Sequence, residues 1–522
     1  MAPEDTWKKE FERLNLKIDR LSATNEKLVL QGIRQSSQLS EVNDQNRTQS
    51  QIIEKLSRTI DELRQVIAAK DARIAQLEEQ KNKNSGNSSK PSSTDFFNKP
   101  KPSSINKGGK ASPKKRTGGQ KGHKGSTLEL KEEPDAIHRC LPHQCTLCKL
   151  AETCRASFDV VDSRNVVDVR IVSQQTRHDR LHGLCPRSGL PVTGDYPQGV
   201  NAPLQYGSNL KAMVVALSSF GMVSVSRIRE LMDGICGVSV SEGTVCNILC
   251  DCADRCNSLV PELKNLVMAS GTAHFDETGI RVKGKVHWAH TASTEQVTLI
   301  SSHHKRGVEG ILAGGILKGF EGVAVHDCWG SYYHEQFSSV THAVCGAHID
   351  RELEGVIQNK KQRWARSMQN LLGTLYKTKK ELMGNGIGCA PKEMLEDFSR
   401  QYDRILERAF SRNPFQAPKV KKRGRPKKEK VRNLIERLRE LKDDVLRFFT
   451  DFRVPFSNNI GEKSFRMSKL KMKVAGSFRS ADGGSNFCTI FSIIDTVRKN
   501  GGNAFKALVQ LFNNSFSLAF LG

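Results

Sequence analysis

Residues 11–77 hold one heptad frame without a phase break. The a positions carry Phe11, Ile18, Leu39, Ile53, Ile60, Ile67 and Ile74, with Asn25 and Asn46 among them, and the d positions carry Leu14, Leu21, Leu28, Val42, Leu56, Leu63 and Leu77. An apolar stripe repeating every 3.5 residues over such a length is buried only along another helix, so this segment has to be a long helix with a partner. Ile at a with Leu at d favours a parallel dimer, and Asn at a fixes its register. The centre is weak, with Gly32, Gln35, Asn46 and Gln49 at core positions. Residues 1–80 are therefore expected to be a coiled-coil oligomerisation arm of a homodimer or higher oligomer.

The whole chain has 522 residues, which at about 150 residues per domain suggests three to four folded units. Its net charge of +25 is concentrated in three runs. Residues 81–125 hold twelve Lys/Arg against the single acid Asp95, residues 419–430 hold eight against Glu429, and residues 463–473 hold five with no acid. Charge gathered in this way is the footprint of a polyanion, and nucleic acid is the expected partner. No stretch reaches the roughly 18 apolar residues of a membrane span. The first thirty residues alternate charge with leucine, unlike a signal peptide. Fourteen Cys then point to a reducing cytoplasm as the expected location, with clustered thiols serving as metal ligands rather than bridges.

Residues 81–130 are rich in Asn, Ser, Gly, Pro and Lys and read as a basic disordered linker. Beyond it, Cys145-x-x-Cys148 and His182-x-x-Cys185 flank a Val/Ile/Asp alternation at 158–173 that reads as strand. Two knuckles around a hairpin suggest a zinc-ribbon-like module over 131–200, with Cys145, Cys148, His182 and Cys185 holding a structural Zn2+. Cys140 and Cys154 are rival ligands, and buried free cysteines are the alternative. Residues 226–233 and 241–251 read as two short helices with Ser at possible N-caps, joined through Gly234 and Gly237. That spacing fits a helix-turn-helix-like DNA-binding module over 201–265, and a plain helical core equally. The run Lys421-Lys-Arg-Gly-Arg-Pro-Lys-Lys428 resembles an AT-hook, in which Arg423 and Arg425 lie along a narrow A·T-rich minor groove.

From residue 270 the pattern changes. Strand-like runs at 271–282, 285–292 and 296–302 precede a helix at 308–317, a short strand at 322–326 ending at Asp327, and another at 341–345 before a further helix. Three antiparallel strands, a helix, then parallel strands is the order of an α/β ribonuclease-H-like core, expected over 266–500 with a helical, basic insertion at about 360–445 and a C-terminal helix or tail at 501–522. In that order Asp276 and Asp327 come side by side, and Glu462, near the start of a later helix with Arg466 one turn on, supplies a third carboxylate. Crowded carboxylates repel, and a divalent ion with hard oxygen preference, Mg2+ or Mn2+, relieves the repulsion. Paired ions suit in-line phosphoryl transfer.

These residues carry a resemblance. Asn84-Ser-Gly-Asn-Ser-Ser-Lys-Pro91, Gly118-Gly-Gln-Lys-Gly-His-Lys-Gly125, Asp276-Glu277-Thr278, His326-Asp327-Cys-Trp-Gly-Ser-Tyr332, Cys345-Gly-Ala-His348-Ile-Asp-Arg351-Glu352 and Pro455-Phe-Ser-Asn-Asn459-Ile-Gly-Glu462-Lys-Ser-Phe-Arg466 together resemble the signatures of the insertion-sequence-sixty-six transposases, of the Asp-Asp-Glu class. Ser457, Gly461 and Lys463 stand where Asp, Ala and Arg are commoner in that family, and none is a proposed ligand. The resemblance implies a DNA transposase that cuts and joins element ends. Asp276, Asp327 and Glu462 would then be its catalytic metal ligands, Arg351, Arg466 and Asn459 its supporting residues, and Lys469, Lys471 and Lys473 its grip on the DNA backbone. It also implies double-stranded DNA as partner and accessory proteins from the same element. A transposase-derived DNA-bridging protein without chemistry is the alternative, and a nuclease acting on RNA or an RNA–DNA hybrid a third possibility.

Overall fold

The computed structural model describes residues 4–88, 133–149, 153–415 and 428–521. Most of the expected linker, and Arg423 and Arg425 of the hook-like run, lie outside the described residues. The chain divides into two compact units, Met1–Lys83 and Asn84–Gly522. No helix among the described residues is long and apolar enough to cross a membrane.

The first unit is a single helix, α1 (Glu4–Asn82), about 120 Å long at 1.5 Å per residue. It passes through Gly32 unbroken. Its heptad side chains stand uncovered along one chain: Phe11, Leu21, Leu39, Ile53 and Leu63 are each more than half exposed.

The second unit opens with α2 (His143–Thr146) and a small antiparallel ladder of β1 (His182–Leu184) and β2 (Pro191–Thr193). The strand expected at 158–173 does not form. That stretch makes no ladder, and its alternating side chains meet no facing strand, so Val161 and Val166 stay more than nine-tenths exposed. The hairpin closes instead downstream, where the Gly189 N–H reaches Cys185 O at 2.8 Å with Gly189 at φ +69°.

Four helices follow, α3 (Ser208–Ser219), α4 (Val225–Cys236), α5 (Glu242–Asn257) and α6 (Val260–Met268). Ser224 rather than Ser226 precedes α4, and Gly234 lies inside it. Gly237 ends α4 in the left-handed conformation that glycine adopts without a Cβ clash. Ser241 caps α5, its Oγ accepting the Thr244 N–H at 3.0 Å. The faces of these helices are apolar, and Ala212, Val215, Ile228, Met232, Val245 and Ile248 enter one core with Ala273 and Phe275 of the sheet. The helical region is thus built onto the sheet that follows it.

That sheet has five strands, β3 (Thr272–Val282), β4 (Lys285–Ser293), β5 (Thr298–His303), β6 (Val323–His326) and β7 (Thr341–Val344), in the order β5-β4-β3-β6-β7. β3, β4 and β5 pair antiparallel, while β6 and β7 join parallel. Between β3 and β4 stands a two-residue turn with Lys283 at φ 49° and Gly284 at φ 75°, both positive as a type I′ hairpin requires. β6 is apolar over its first three residues because both its faces are covered. Ala324 faces the core of the first helices, and Val323 and Val325 face a second core on the other side.

After α7 (Val308–Gly314) and the strands β6 and β7 come α8 (Gly346–Lys360), α9 (Arg363–Gly384), α10 (Lys392–Arg412), α11 (Lys430–Glu440) and α12 (Lys442–Thr450). They build that second core around Leu372, Tyr402, Leu438 and Phe448. The last elements are α13 (Asn459–Ser464), α14 (Arg466–Ala475), α15 (Ala481–Lys499) and α16 (Ala504–Phe512). α15 covers the open edge of the sheet. Ser492 Oγ accepts the Ile300 N–H at 2.9 Å, and Thr496 Oγ1 accepts the Thr298 N–H at 3.0 Å, occupying donors of β5 that would otherwise invite another strand.

Candidate functional site

The register of the parallel pair brings the first two acids together. Thr272 faces Val323 and His274 faces Val325; the same offset carried two residues further sets Asp276 level with Asp327, just past the end of β6. Each carboxylate accepts one backbone N–H: Asp276 Oδ1 from Glu277, and Asp327 Oδ1 from Trp329, both at 2.9 Å. Burial pushes Asp276 up to about 8, reinforced by the negative charges of Glu277, Asp327 and Glu462 and opposed only by that one N–H. Burial and Glu277 likewise push Asp327 up to about 6, against the pull of the Trp329 N–H and Arg306. Two neighbouring carboxylates whose ionised form is disfavoured in this way mark a candidate functional site.

Glu277 is a fourth carboxylate that the sequence offered only as part of a motif. It is buried and fully paired. Arg306 donates to its Oε1 from Nη2 at 2.6 Å and from Nε at 3.0 Å, and Tyr332 Oη donates to its Oε2 at 2.7 Å. The guanidinium lies over the rings of Trp329 and Trp288, 4.1 and 5.0 Å from their centroids. Glu277 therefore locks the turn after Asp327 onto β3. Nothing in its spacing reveals this, because Arg306 and Tyr332 come from separate loops.

Glu462 sits in the first turn of α13, and Asn458, directly before that helix, holds it to the sheet. Asn458 is buried; its Nδ2 donates to Phe275 O at 2.7 Å, its Oδ1 lies 2.8 Å from His274 Nδ1, and its N–H reaches Cys345 Sγ at 3.1 Å. Asn459, the supporting residue expected from the sequence, is exposed. The neighbouring asparagine makes the contacts. Ser464 adds a second tie, its Oγ 3.0 Å from Ser293 Oγ on β4.

Arg351, on α8, donates from Nη2 to Glu462 Oε1 at 3.1 Å. Arg466 does not share a helix with Glu462, because α13 ends at Ser464 and α14 starts anew at Arg466, which is exposed. Glu352, the next residue on α8, pairs with Arg437 of α11 beside Asp327, and both bear on its electrostatics. α8 starts in tight contact with the segment before α13: a Cβ on Gly346 would stand 2.3 Å from the Phe456 ring.

Cys345, His348 and Glu462 converge at the same place, with one ligand atom from each lying within 4.8 Å of the others. Among the described residues this is the one such group of three or more potential metal ligands. Cys145, Cys148, His182 and Cys185 are not gathered. His182 Nδ1 instead lies 2.7 Å from Thr193 Oγ1. At Cys185 a side-chain hydrogen bond from Ser188 and the N–H groups of Ser188 and Arg187 hold the thiol below its usual range.

Of the basic run on α14, Lys469 and Lys473 are exposed. Lys471 is turned inward and is corrected as a DNA contact. Its Nζ donates to Ser218 O at 2.9 Å and Val223 O at 3.3 Å, tying α14 to the end of α3. Burial holds its ammonium below the usual lysine range.

Comparison with known families agrees with this architecture. Residues 203–486 match the model described as Transposase IS66 family, and residues 8–129 match a family of unknown function (DUF6444). No curated protein matches the chain. The first match runs from the helices packed on the sheet, through all three acids, into α15, and covers more than half of the chain: the protein belongs to the transposase IS66 family.

Proposed function

We propose that this transposase is catalytically competent: it binds the ends of an insertion sequence in double-stranded DNA, cleaves a strand at the boundary and transfers the freed 3′-hydroxyl to target DNA. The observation that carries the proposal is the parallel register that sets Asp276 of β3 level with Asp327 past the end of β6, with the charges of Asp327 and Glu462 both bearing on Asp276. A ribonuclease-H-like core is the fold this strand order fits.

The donor set suits Mg2+ or Mn2+. Asp276 and Asp327 are carboxylates whose ionised form the protein disfavours until a cation arrives, and oxygen ligands select hard ions. Asp276, Asp327 and Glu462 would hold them. When bound, such ions supply Lewis acidity at the attacking and leaving oxygens of an in-line phosphoryl transfer. The chain does the rest. Arg351 holds one oxygen of Glu462 and so fixes the carboxylate. Glu277, neutralised by Arg306, keeps the Asp327 turn in place without adding an unpaired charge. Arg466, Lys469 and Lys473 meet the phosphate backbone, and Arg423 and Arg425 reach a minor groove.

Dimerisation through α1, a structural Zn2+ at Cys145, Cys148, His182 and Cys185, DNA contacts from α4 and α5, and accessory proteins belong to the same proposal. The uncovered heptad stripe supports the first of these, and the Cys185 turn the second. The test is incubation of the protein with a labelled element-end duplex and Mg2+, beside Asp327→Asn. A nick leaving a 3′-hydroxyl, made by the wild type and lost in the variant, supports the catalytic reading. Salt-sensitive binding without a nick would turn the case toward a DNA-bridging protein.

A further inference from the structure

Cys345 lies at the start of α8, its N–H bonded to His326 O at 2.8 Å, and His348 follows in the first turn. The Cys-x-x-His spacing on a helix start turns both side chains to one side, and there α13 delivers Glu462. His348 Nε2 stands 3.7 Å from Glu462 Oε1. The other ring nitrogen, Nδ1, is buried and has no hydrogen-bond partner. A thiol, an imidazole with an orphaned ring nitrogen, and a carboxylate thus share one small space. As a hydrogen-bonding arrangement the cluster is incomplete. As a ligand set it has three donors.

We propose that Cys345, His348 and Glu462 form a site for a borderline-soft divalent cation, zinc foremost, beside the Asp276–Asp327 pair and sharing Glu462 with it. Sulfur and imidazole nitrogen select zinc over magnesium, and three protein ligands leave one tetrahedral position for water. The charges close: a thiolate and a carboxylate balance the ion, so Arg351 keeps its place on Glu462 without facing a net positive centre. The ion would join the start of α8 to the first turn of α13 and fix the carboxylate of Glu462. The proposal goes beyond strand transfer and stands on the donors alone, so its test uses no DNA.

The full-length protein, stripped of metal, is titrated with Co2+ and, separately, with Zn2+ followed by gel filtration and elemental analysis. Wild type is expected to show thiolate-to-cobalt charge transfer and to retain one more zinc per chain than Cys345→Ser and His348→Ala. Glu462→Gln, at a partly exposed position, keeps the decision open should the buried variants not fold. It should retain the thiolate band while weakening cobalt binding at this site by at least about tenfold, the scale on which even outer-shell partners act. Excess Mg2+ should leave the band in place. Equal zinc content and equal cobalt spectra in wild type and all three variants would overturn the site, as would displacement by Mg2+.

Discussion

Asn458 holds its side-chain nitrogen 2.7 Å from the carbonyl oxygen of Phe275, fastening the start of the Glu462 helix to β3 one residue before Asp276. A neutral amide thereby helps to set near each other two acids 186 positions apart in the chain. The choice of amide matters, since Nδ2 must donate to a carbonyl while Oδ1 faces His274. Burial pushes that histidine down to about 4, so it is neutral, and because Oδ1 can only accept, its proton sits on Nδ1.

Asn458→Ala leaves the Phe275 carbonyl buried and unpaired, and should destabilise the protein by about 1–3 kcal/mol. The loss is read as a lower urea midpoint. Asn459→Ala, at an exposed neighbour, should stay within about 0.5 kcal/mol of wild type. Nicking should fall in the first and persist in the second. Equal stability in both would mean that the Asn458 bonds do not form in solution.

The two buried aspartates contribute a stability to the metal-free protein that is lost as pH rises. Asp276 is raised to about 8 from 3.8, and Asp327 to about 6. Between the unfolded and folded values the folded chain binds more protons than the unfolded one, so each unit of pH removes stability. The contribution is fully present below pH 3.8 and gone above about 8 for Asp276 and about 6 for Asp327. The urea midpoint of wild type relative to that of Asp276→Asn should therefore be lower at about pH 8 than at about pH 5.5, a difference from which the opposite contribution of the buried histidines, His274 and His348 among them, cancels. Mg2+ should raise the wild-type midpoint at the higher pH by binding the folded state alone. A midpoint in the variant that moves with pH as the wild type's does would show that the slope arises elsewhere.

Strand order was legible in the sequence because the periods were clean: β3 to β7 fall within a few residues of the expected runs. The three acids stand out in the sequence because each lies within a motif, and they fall midway along β3, just past β6 and near the start of α13. Partners were not. Asn458 and Asn459 are the same residue type one position apart, and only the packing of Phe456 against Gly346 decides which faces inward. Lys471 reads as a third phosphate contact in a run of lysines, yet its place on α14 turns it toward the α3 carbonyls. The alternation at 158–173 satisfies the strand pattern but has no second strand to pair with, and period alone cannot supply one.

The α14 lysines should therefore separate by assay. Lys469→Ala and Lys473→Ala should each reduce the slope of log affinity against log salt by about 0.9, the signature of one lost phosphate contact on duplex DNA. Lys471→Ala should leave that slope unchanged. It uncovers the Ser218 and Val223 carbonyls instead, and the cost of about 1–3 kcal/mol should show in unfolding. A changed salt slope in Lys471→Ala at unaltered stability would return that residue to the DNA surface.

Gly355 of α8 lies four residues beyond Arg351, and the chain at Asn87 passes directly over it. Asn87 is buried, and its Nδ2 donates to Gln358 Oε1 at 2.7 Å. A Cβ on Gly355 would stand 2.8 Å from the Asn87 carbonyl oxygen, and that atom is backbone that cannot rotate away. The start of the basic 81–125 run is thus seated on the helix that carries Arg351. Gly355→Ala should lift this seat while leaving helix α8 intact, because alanine is the better helix former. Trypsin cleavage after Lys83 should then accelerate relative to wild type, with the products identified by mass. Gln358→Ala, which removes the hydrogen bond without the clash, should accelerate it less. If DNA binding weakens in Gly355→Ala at unchanged global stability, the seat orients the cationic segment; if only cleavage changes, it serves as an anchor alone.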